Sequence, residues 1–387
     1  MKVALITRDY HSRGGIERVS QFYARTLRSH GHEVHVWYGN GGPEAIDQGV
    51  YFHQIKTLAN NGWLYALLFA FATMRQIKTE EYDATIVMGT SGICKGSVVV
   101  ANSVHQEWFT SSLKVLPILS SKWLLKLFNP LHYVVMLIER LQYKAGYARS
   151  IIAVSEPIKR ELNQTYGIPL GEIDLLPNGA NLDSSTPDDE VRLQTRRDLA
   201  VKENEYLLCM LVNELERKGV RQTLAAMKKL ASCPVKLLVV TRVDLRVPAK
   251  MVQEFELEER VILRPNTPDA RPYLWASDLY VLPTQYEAWN LSIMEAHAAG
   301  LPIVTTALGQ ADQVVEPGVS GFLLKDPKNV DELVAAIERW LSVSDKNAMR
   351  EAARKRIEPY SWDKVISRLE SILVHRVTRT HSQRVQV

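Results

Sequence analysis

The sequence has few cysteines, and they are not spaced for a disulfide framework or a metal site. Cys94, Cys209 and Cys233 are far apart and lie in or beside apolar runs. Structural zinc sites and disulfide-rich domains instead place their cysteines at short, repeated spacings. We therefore expect free thiols and a reducing compartment.

Long apolar runs and a strong excess of one charge are also absent. The apolar run over residues 63–74 is 12 residues long, short of the ~20 that a membrane-spanning helix needs, so we interpret it as a core helix. The net charge of +4 disfavours nucleic acid as the main partner but permits weak attraction to an anionic surface. The first apolar run is short and is followed by Arg8 and Asp9, so no secretory signal is expected. We predict a cytoplasmic protein and leave open an association with the inner face of the cytoplasmic membrane.

The start of the chain predicts a parallel α/β sheet. The 387 residues suffice for two domains with a core each, and a strand over 3–7, a helix over 16–29 and a strand over 33–38 form a βαβ unit. The turn between the first strand and the helix carries Gly14 and Gly15, which let the backbone approach a ligand. A plain tight turn would look the same. The glycines do not form the Gly-x-Gly-x-x-Gly pattern of dinucleotide binders, which disfavours a dehydrogenase.

A polar stretch after the strand predicted over 98–101 contains His105. A histidine at the carboxyl end of a strand lies where ligands bind in such sheets, and its ordinary pKa near neutrality suits contact with a phosphate or a sugar hydroxyl. An ordinary surface histidine is the alternative. Glu107, two residues later, is a weaker candidate for acceptor binding.

Residues 109–147 are rich in leucine, lysine and aromatic side chains. A basic, aromatic, amphipathic segment can lie in a membrane interface with its lysines toward anionic headgroups. Lys114, Lys122 and Lys126 would then line the approach of a lipid-linked acceptor. Helices packed on the sheet would give a similar pattern.

In the second half of the chain, two adjacent cations separate a predicted strand from a predicted helix. The strand covers 206–212 and the helix 220–231, with Arg217 and Lys218 between them. An arginine fork and a lysine point charge at this place could hold a pyrophosphate. Two solvated surface cations are the alternative reading.

A stretch from Tyr286 to Pro302 organises the second half. It follows a predicted buried strand over 278–282 and contains a loop and a short helix over 291–299. Glu287 lies in the loop and Glu295 lies one turn into the helix. Carboxylates here can accept hydrogen bonds from the hydroxyls of a sugar and a ribose, while the helix N-terminus near Leu291 favours a phosphate.

This stretch resembles the signature of the retaining glycosyltransferases of family 4. The segments 14–19, 30–34 and 154–181 are similar to the opening and the hinge region of the same family. The chain departs from the family pattern at Asn290, which stands where glycine is usual, although asparagine tolerates positive φ better than most residues. It also has Val212 and Asn213 in place of the usual glycine and arginine, and keeps only Gly309 of two glycines in a later loop. The signature matches at Glu287, Trp289, Leu291, Glu295, Ala296, Gly300 and Pro302.

The resemblance implies a GT-B fold, in which two Rossmann-like domains face a central cleft and the C-terminal helix crosses back to the first domain. We place the first domain at 1–180 plus 361–377 and the second at 181–360, with a linker over 183–190. The implied catalytic residues are His105 and Glu287. The implied donor-binding residues are Gly14, Gly15, Arg217, Lys218, Asn290, Leu291 and Glu295, and the candidate acceptor-binding residues are Glu107, Lys114 and Lys122.

The implied function is transfer of a hexose, with retention of configuration, from a nucleotide diphosphate sugar to a saccharide or lipid-linked saccharide. UDP is the more frequent donor nucleotide in the family that the sequence resembles. Within that family, lipopolysaccharide core glucosyltransferases of the cell envelope are the model for the expected function. The sequence contains no Asp-x-Asp metal motif, so we predict metal independence and no cofactor apart from the donor substrate. A soluble acceptor and a non-catalytic nucleotide-sugar-binding protein are the alternatives, the second suggested by Val212 and Asn213.

Overall fold

A computed structural model of the protein describes residues 1–11, 14–144, 147–182 and 187–384. The chain divides into two compact units. The first contains Met1–Asn178 and the segment that begins at Trp362, and the second contains Gly179–Ser361.

In the first unit, the described residues form a seven-stranded sheet in the order β3-β2-β1-β4-β5-β6-β7. Every pairing in it is parallel. The central strands β4 and β5 are buried throughout, as expected for a parallel sheet covered on both faces. The strands are β1 (Lys2–Tyr10), β2 (Glu33–Gly41), β3 (Tyr51–Gln54), β4 (Ala84–Met88), β5 (Ser97–Ala101), β6 (Ala148–Ala153) and β7 (Ile173–Leu175).

The helices of the first unit connect these strands. Helix α6 shows how local sequence sets its bounds, because the Ser155 hydroxyl accepts a hydrogen bond from the amide of Ile158 and Gly167 ends the helix at φ +69°. Six helices precede the second unit in the described chain: α1 (Gly15–Ser29), α2 (Gly62–Gln76), α3 (His105–Lys114), α4 (Ser121–Leu127), α5 (Pro130–Lys144) and α6 (Glu156–Tyr166).

Helix α2 is the helix predicted from the apolar run over 63–74. Only one of its faces is buried, however, with Tyr65 and Phe69 inside, whereas Trp63 and Phe71 are 44% and 46% exposed. The expectation of a core helix is therefore right for one face and wrong for the other. Among the described residues, no helix is both long and apolar enough to cross a bilayer.

The second unit repeats the architecture of the first. Its sheet, as far as the structure describes it, has six strands in the order β10-β9-β8-β11-β12-β13, all parallel. The strands are β8 (Tyr206–Leu211), β9 (Val235–Thr241), β10 (Val261–Pro265), β11 (Leu279–Leu282), β12 (Ile303–Thr306) and β13 (Gly321–Leu324). The helices are α7 (Asp189–Asp198), α8 (Val220–Lys229), α9 (Arg246–Glu254), α10 (Arg271–Ala276), α11 (Leu291–Ala298), α12 (Ala311–Val314), α13 (Val330–Leu341) and α14 (Lys346–Ile357).

The linker predicted over 183–190 is only partly visible. Residues 183–186 lie outside the described residues, and α7 already begins at Asp189. The last two residues of the predicted linker are therefore helical, with the Asp188 side chain accepting a hydrogen bond from the amide of Val191.

The final helix, α15 (Trp362–Arg384), belongs to the first unit. The Trp362 ring stacks on Phe22 of α1, with ring centroids 4.7 Å apart. Glu370 Oε1 lies 3.0 Å from Nδ1 of His30 and 2.7 Å from Nε2 of His32. The predicted pair of Rossmann-like sheets and the predicted return of the last helix are thus confirmed.

Candidate functional site

In each unit the candidate residues follow strands at the point where the sheet changes direction. The strand order reverses between β1 and β4 in the first unit and between β8 and β11 in the second. Ligands of open α/β sheets bind at the carboxyl ends of the strands at such points. Gly14 and Gly15 follow β1, Arg217 and Lys218 follow β8, and Glu287 follows β11. The topology therefore places the candidates of each unit where ligands are expected.

Glu287 is buried and bound by two cations. Lys218 Nζ forms an ion pair with Glu287 Oε1, Nη1 of Arg217 lies 3.5 Å from the same oxygen, and the Thr284 hydroxyl donates to it at 2.9 Å. Burial alone would raise the pKa of Glu287, but the charges of Lys218 and Arg217 outweigh it and lower the pKa below its usual value. Glu287 is therefore ionised at neutral pH.

The two cations differ in their other contacts, because Lys218 is paired with Glu287 whereas Arg217 also binds Glu214 and a backbone carbonyl. Burial lowers the pKa of Lys218, and its pairing with Glu287 partly offsets that effect. Arg217 donates to both oxygens of Glu214, at 3.1 and 2.7 Å, and to the carbonyl of Tyr286. These contacts join the loop after β8 to the loop after β11.

Gly219 makes the close approach of these loops possible. It precedes α8 at φ +77°, in the left-handed region that favours glycine, and a Cβ there would collide with the carbonyl oxygen of Pro283. Any other residue at this position would push the cationic turn away from the strand that leads to Glu287.

Asn290, the departure from the family's glycine, caps α11. Its φ is −92°, so this position does not need the positive φ that glycine or asparagine tolerates. Instead Oδ1 accepts hydrogen bonds from the amide and the hydroxyl of Ser292, at 2.8 and 2.7 Å. The buried Nδ2 of Asn290 and Nε1 of Trp289 have no hydrogen-bond partner among the described residues. Buried donors of this kind are rare in proteins and are suited to a bound ligand.

Gln310 holds the backbone of Asn290 from both sides. The Asn290 amide donates to Oε1 of Gln310 at 3.0 Å, and Nε2 of Gln310 donates to the Asn290 carbonyl at 2.9 Å. Gly309, at φ +64°, lets this loop pass Glu287, since a Cβ would lie 3.0 Å from the Cβ and the carbonyl oxygen of Glu287. Sequence reasoning assigned nothing to Gln310. The one signal in the sequence is a polar side chain in the loop after β12, four residues beyond the end of the strand.

The remaining donor-side candidates lie on two helices. Leu291 is the first residue of α11, and Glu295 is half-buried one turn later. In the first unit, Gly14 is the N-cap of α1 and Gly15 its first residue. A Cβ at Gly14 would collide with the carboxyl group of Glu17, so the glycine leaves room for that side chain.

His105 is the first residue of α3. Its backbone amide donates to both carboxyl oxygens of Glu139, at 2.9 and 3.1 Å, and its Nε2 lies 3.1 Å from Nδ1 of His132. Burial lowers the pKa of His105 to about 4, and the positive charges of His132, Arg8 and Lys126 act in the same direction. The imidazole is neutral at pH 7, so the expectation that it titrates near neutrality is wrong for the free protein.

The candidate acceptor residues lie on two helices, α3 and α4. The Thr165 hydroxyl of α6 donates to Glu107 Oε1 of α3 at 3.2 Å. Lys114 is the last residue of α3 and Lys122 lies in α4. Lys126 lies over the Trp108 ring at 4.5 Å, and its charge is one of those that lower the pKa of His105.

The described part of the chain contains no group of three or more histidine, cysteine, aspartate or glutamate side chains that could hold a metal ion. The cysteines are free, and burial raises the pKa of Cys94 and of Cys209 to about 12. Thiol chemistry therefore has no activated group at either position.

Comparison with known proteins gives two family models that follow one another along the chain. Residues 13–184 match the family described as Glycosyltransferase Family 4, and residues 191–356 match the family described as Glycosyl transferases group 1. Together they cover most of both units. The protein is a GT-B glycosyltransferase.

Three proteins illustrate what this GT-B glycosyltransferase is similar to. It is 23% identical to the uncharacterised glycosyltransferase MJ1607 of Methanocaldococcus jannaschii, over 97% of this chain and 98% of the relative. It is 25% identical to the lipopolysaccharide glucosyltransferase WaaG of Escherichia coli, over 89% and 90%. A crystal structure of WaaG aligns with a TM-score of 0.77 at 19% identity, over 96% of this chain and 99% of the other. The structure of Anabaena HepE in complex with UDP and glucose aligns with a TM-score of 0.73 at 17% identity, over 97% and 99%. These structures share the fold of the protein.

Proposed function

We propose that this GT-B glycosyltransferase moves a hexose from a UDP-sugar to a saccharide or lipid-linked saccharide of the cell envelope, with retention of configuration. The observation that carries the proposal is the buried group of Arg217, Lys218 and Glu287 at the switch point of the second sheet, beside the N-terminus of α11. Cations and a helix N-terminus suit a diphosphate, and a carboxylate suits sugar hydroxyls.

The donor half of the mechanism follows from these charges. Lys218, Arg217 and the first amides of α11 hold the leaving diphosphate and stabilise the charge that develops on it. Glu287 accepts hydrogen bonds from the hexose, and Glu295 binds the ribose. The unpartnered Nδ2 of Asn290 supplies one more donor to the diphosphate or the sugar.

We propose front-face displacement for the transfer step. The bond between the anomeric carbon and the diphosphate oxygen breaks, and the acceptor oxygen bonds to that carbon on the same face. The acceptor proton passes to an oxygen of the leaving phosphate, so no carboxylate of the protein has to act as a nucleophile. In the first unit, the neutral imidazole of His105 is suited to a hydrogen bond with a sugar hydroxyl, and Gly14 and Gly15 let a ligand approach the backbone.

The donor is identified by ligand-induced stabilisation. UDP-glucose, UDP-galactose, GDP-mannose and ADP-glucose are compared by thermal shift, since a ligand that binds only the folded protein raises Tm with its occupancy. We expect a UDP-sugar to give the largest rise, and Lys218→Met to abolish it. A larger rise with GDP- or ADP-sugars would reject the proposed nucleotide.

Asn213 favours one alternative, a protein that binds nucleotide sugars without turnover. Its side chain accepts a hydrogen bond from the backbone amide of Arg242 at 3.0 Å and adds no positive charge after β8. Slow hydrolysis of the bound donor in the absence of acceptor distinguishes the two, because a transferase has a reactive donor site. We expect hydrolysis that Glu287→Gln abolishes; binding without any turnover, with every acceptor tried, would favour the alternative.

The proposed lipid-linked acceptor rests on the surface of α3, α4 and the loop between them. Helix α4, all of which is described, has no buried residue, so the interpretation of this segment as helices packed on the sheet fails for α4. Lys114, Lys122 and Lys126 supply positive charge beside this apolar surface, a combination suited to anionic headgroups. Its large apolar side chains are exposed by 71% to 79%: Ile118, Leu119, Leu125 and Phe128.

Vesicle flotation tests the membrane contact. We expect the protein to float with vesicles that contain anionic phospholipid and to remain behind with purely zwitterionic ones. The double variant Leu125→Ser/Phe128→Ser should lose flotation, whereas Leu58→Ser, at a fully exposed leucine outside this surface, should keep it. Equal behaviour of the two variants would favour a soluble acceptor.

A further inference from the structure

Helix α5 directs two side chains at His105. His132 and Glu139 are seven residues apart, which places them two turns apart on one face of the helix. Nδ1 of His132 meets the His105 ring at 3.1 Å, and the carboxyl group of Glu139 accepts the His105 amide at 2.9 and 3.1 Å. Neither residue belongs to the donor or acceptor set considered above.

Glu139 fixes the backbone of His105. The N-cap residue of α3 is Val104, whose side chain cannot accept a hydrogen bond, so the first amide of the helix is satisfied from another helix. The carboxyl group is fully buried and also accepts the Tyr166 hydroxyl at 2.7 Å. A carboxyl oxygen at a helix N-terminus satisfies an otherwise unpaired amide. The position of the His105 backbone is thus tied to α5 and α6.

His132 fixes the ring of His105. The two imidazoles stack with centroids 5.2 Å apart at 28°, and Phe109 packs on His132 at 4.7 Å. Burial lowers the pKa of both histidines, with the charge of Lys126 adding to it, so both rings are neutral at pH 7. In a hydrogen bond between neutral imidazoles one nitrogen carries the proton and the other offers its lone pair. The pairing therefore ties the tautomer of His105 to that of His132, and in either arrangement it gives Nδ1 of His105 the opposite role to Nε2.

We propose that His132 and Glu139 are positioning residues that hold His105 in one orientation and one tautomer for the transfer step. The inference rests on the proposed function for its catalytic meaning. A neutral imidazole with a defined donor or acceptor nitrogen can bind a sugar hydroxyl. It also brings no positive charge to a transition state in which the sugar itself becomes electron-poor.

The structural half of the proposal is tested without turnover, by nitrogen-15 NMR of the histidine side chains, with His105 assigned by a His105→Gln variant. We expect one tautomer for His105 in the wild type. In His132→Phe, which keeps a ring but removes the nitrogens, we expect a mixture of tautomers and a raised pKa of His105. Phe109→Leu, a control that alters the packing around His132 but not its hydrogen bond, should keep the single tautomer. An unchanged tautomer in His132→Phe would overturn the assignment of His132.

Glu139 is tested through the orientation of the same ring. In Glu139→Ala the amide of His105 loses its acceptor. We expect the His105 ring signals to move and the hydrogen bond between the rings of His105 and His132 to weaken. Glu139→Gln keeps an acceptor oxygen and should restore most of the wild-type spectrum. Identical spectra for wild type and Glu139→Ala would overturn the assignment of Glu139.

The catalytic half is tested by kinetics with the donor identified above. We expect His132→Phe to lower kcat roughly 10- to 100-fold with little change in KM for the donor, the size expected for a misplaced catalytic group. His132→Asn, which places an amide atom near the position of Nδ1, should recover part of the loss. If the tautomer changes while kcat does not, the pairing stands but its positioning role is overturned. If the wild type itself transfers no sugar, the proposed function fails while the NMR result remains valid.

Discussion

Each unit holds a buried polar cluster at the carboxyl edge of its sheet, and the net charge state differs between the two although burial favours the neutral forms in both. In the first unit His105, His132 and Glu139 form what we call the histidine cluster. In the second, the ion-pair cluster contains Lys218 and Glu287 together with Arg217. Burial lowers the pKa of His105 to about 4 and raises that of Glu139 to about 7, so it favours the neutral forms. In the ion-pair cluster the pKa of Glu287 is lowered despite burial, and the charge is kept.

This difference in charge state comes from the neighbouring groups and not from the degree of burial. The charges near His105 are those of Arg8 and Lys126, which have the same sign as an imidazolium, and Glu139 is bound by an amide and a hydroxyl. Glu287 instead has an opposite charge against its carboxylate. A low-dielectric site neutralises an ionisable group unless an opposite charge is supplied. One unit is therefore suited to hydrogen bonds with a neutral sugar and the other to a diphosphate.

The largest effect is expected when the ion-pair cluster is broken. Lys218→Met leaves the Glu287 carboxylate buried with only Arg217 beside it, and breaking a buried pair costs about 3–5 kcal/mol of unfolding free energy. Urea denaturation measures this loss. The double variant Lys218→Met/Glu287→Gln should recover much of it without recovering transfer.

Lys250→Met, at an exposed lysine of α9, is the matched control and should leave stability near the wild-type value. If Lys218→Met were as stable as this control, the charges of the ion-pair cluster would not be maintained by pairing, and the contrast with the histidine cluster would be lost.

The next largest effect is a pH dependence from Glu139. Its pKa in the folded protein, about 7, is above the ordinary value of 4.5, so between these values the folded state binds more protons than the unfolded state. Stability from this group is present at low pH and is lost as pH rises toward 7, by up to about 3 kcal/mol. Glu139→Gln cannot ionise. We therefore expect the unfolding free energy of the variant to rise relative to that of the wild type between pH 5 and pH 8. Urea denaturation at each pH measures this difference.

Glu203→Gln removes an exposed carboxyl of the second unit and should show no such trend. A wild type that gained stability relative to Glu139→Gln as pH rose would mean that Glu139 is charged and paired, like Glu287.

A smaller loss of stability is expected when the N-cap of α11 is changed. Helix α3 is capped by the distant carboxyl group of Glu139, whereas α11 is capped by its own Asn290. Asn290→Ala should cost about 1 kcal/mol and Asn290→Gly only a few tenths, because glycine is tolerated at N-caps. Thermal unfolding measures both. Equal losses in the two variants would show that the contact with Ser292 does not act as a cap.

The smallest effect is expected from metal removal. Fixed cations in the ion-pair cluster take the place of a divalent ion in the proposed mechanism, so a chelator should leave transfer unchanged. Loss of activity that magnesium restores would contradict this and would assign part of the diphosphate binding to a metal.

Much of the fold could be predicted because local signals and tertiary packing agree. The sequence predicts helices over residues 330–341 and 346–357, and these are the observed bounds of α13 and α14. Each helix has an apolar stripe and a polar cap residue, Asn329 or Asp345, which marks its start. Apolar runs likewise predict strands over residues 84–88 and 235–241, and these are the observed bounds of the buried strands β4 and β9.

Strand β3 and helix α7 are two elements that the sequence analysis missed. Strand β3 is a four-residue edge strand with no buried residue among those described, so it lacks an apolar signal. Helix α7, which is described in full, also has no buried residue. Arg192 and Arg196 of α7 bind carbonyl oxygens at the end of α10 and pair with Asp278, more than 80 residues away. No local pattern carries that information.

The candidate site divides in the same way. Arg217, Lys218 and Glu287 could be proposed because each stands in a short segment that resembles a known family. His132, Glu139 and Gln310 could not, because they act on residues 27, 34 and 20 positions away in the chain. The partner of each is set by helix packing and loop contact, which the sequence does not display.

The return of α15 to the first unit has a consequence for synthesis on the ribosome. Trp362, which covers Phe22 and Tyr23 of α1, is made only after the whole of the second unit has been translated. The second unit can thus complete its core while the first still exposes aromatic surface, reversing the usual order in which N-terminal domains mature first. A nascent chain stalled before residue 362 should therefore bind chaperones through α1.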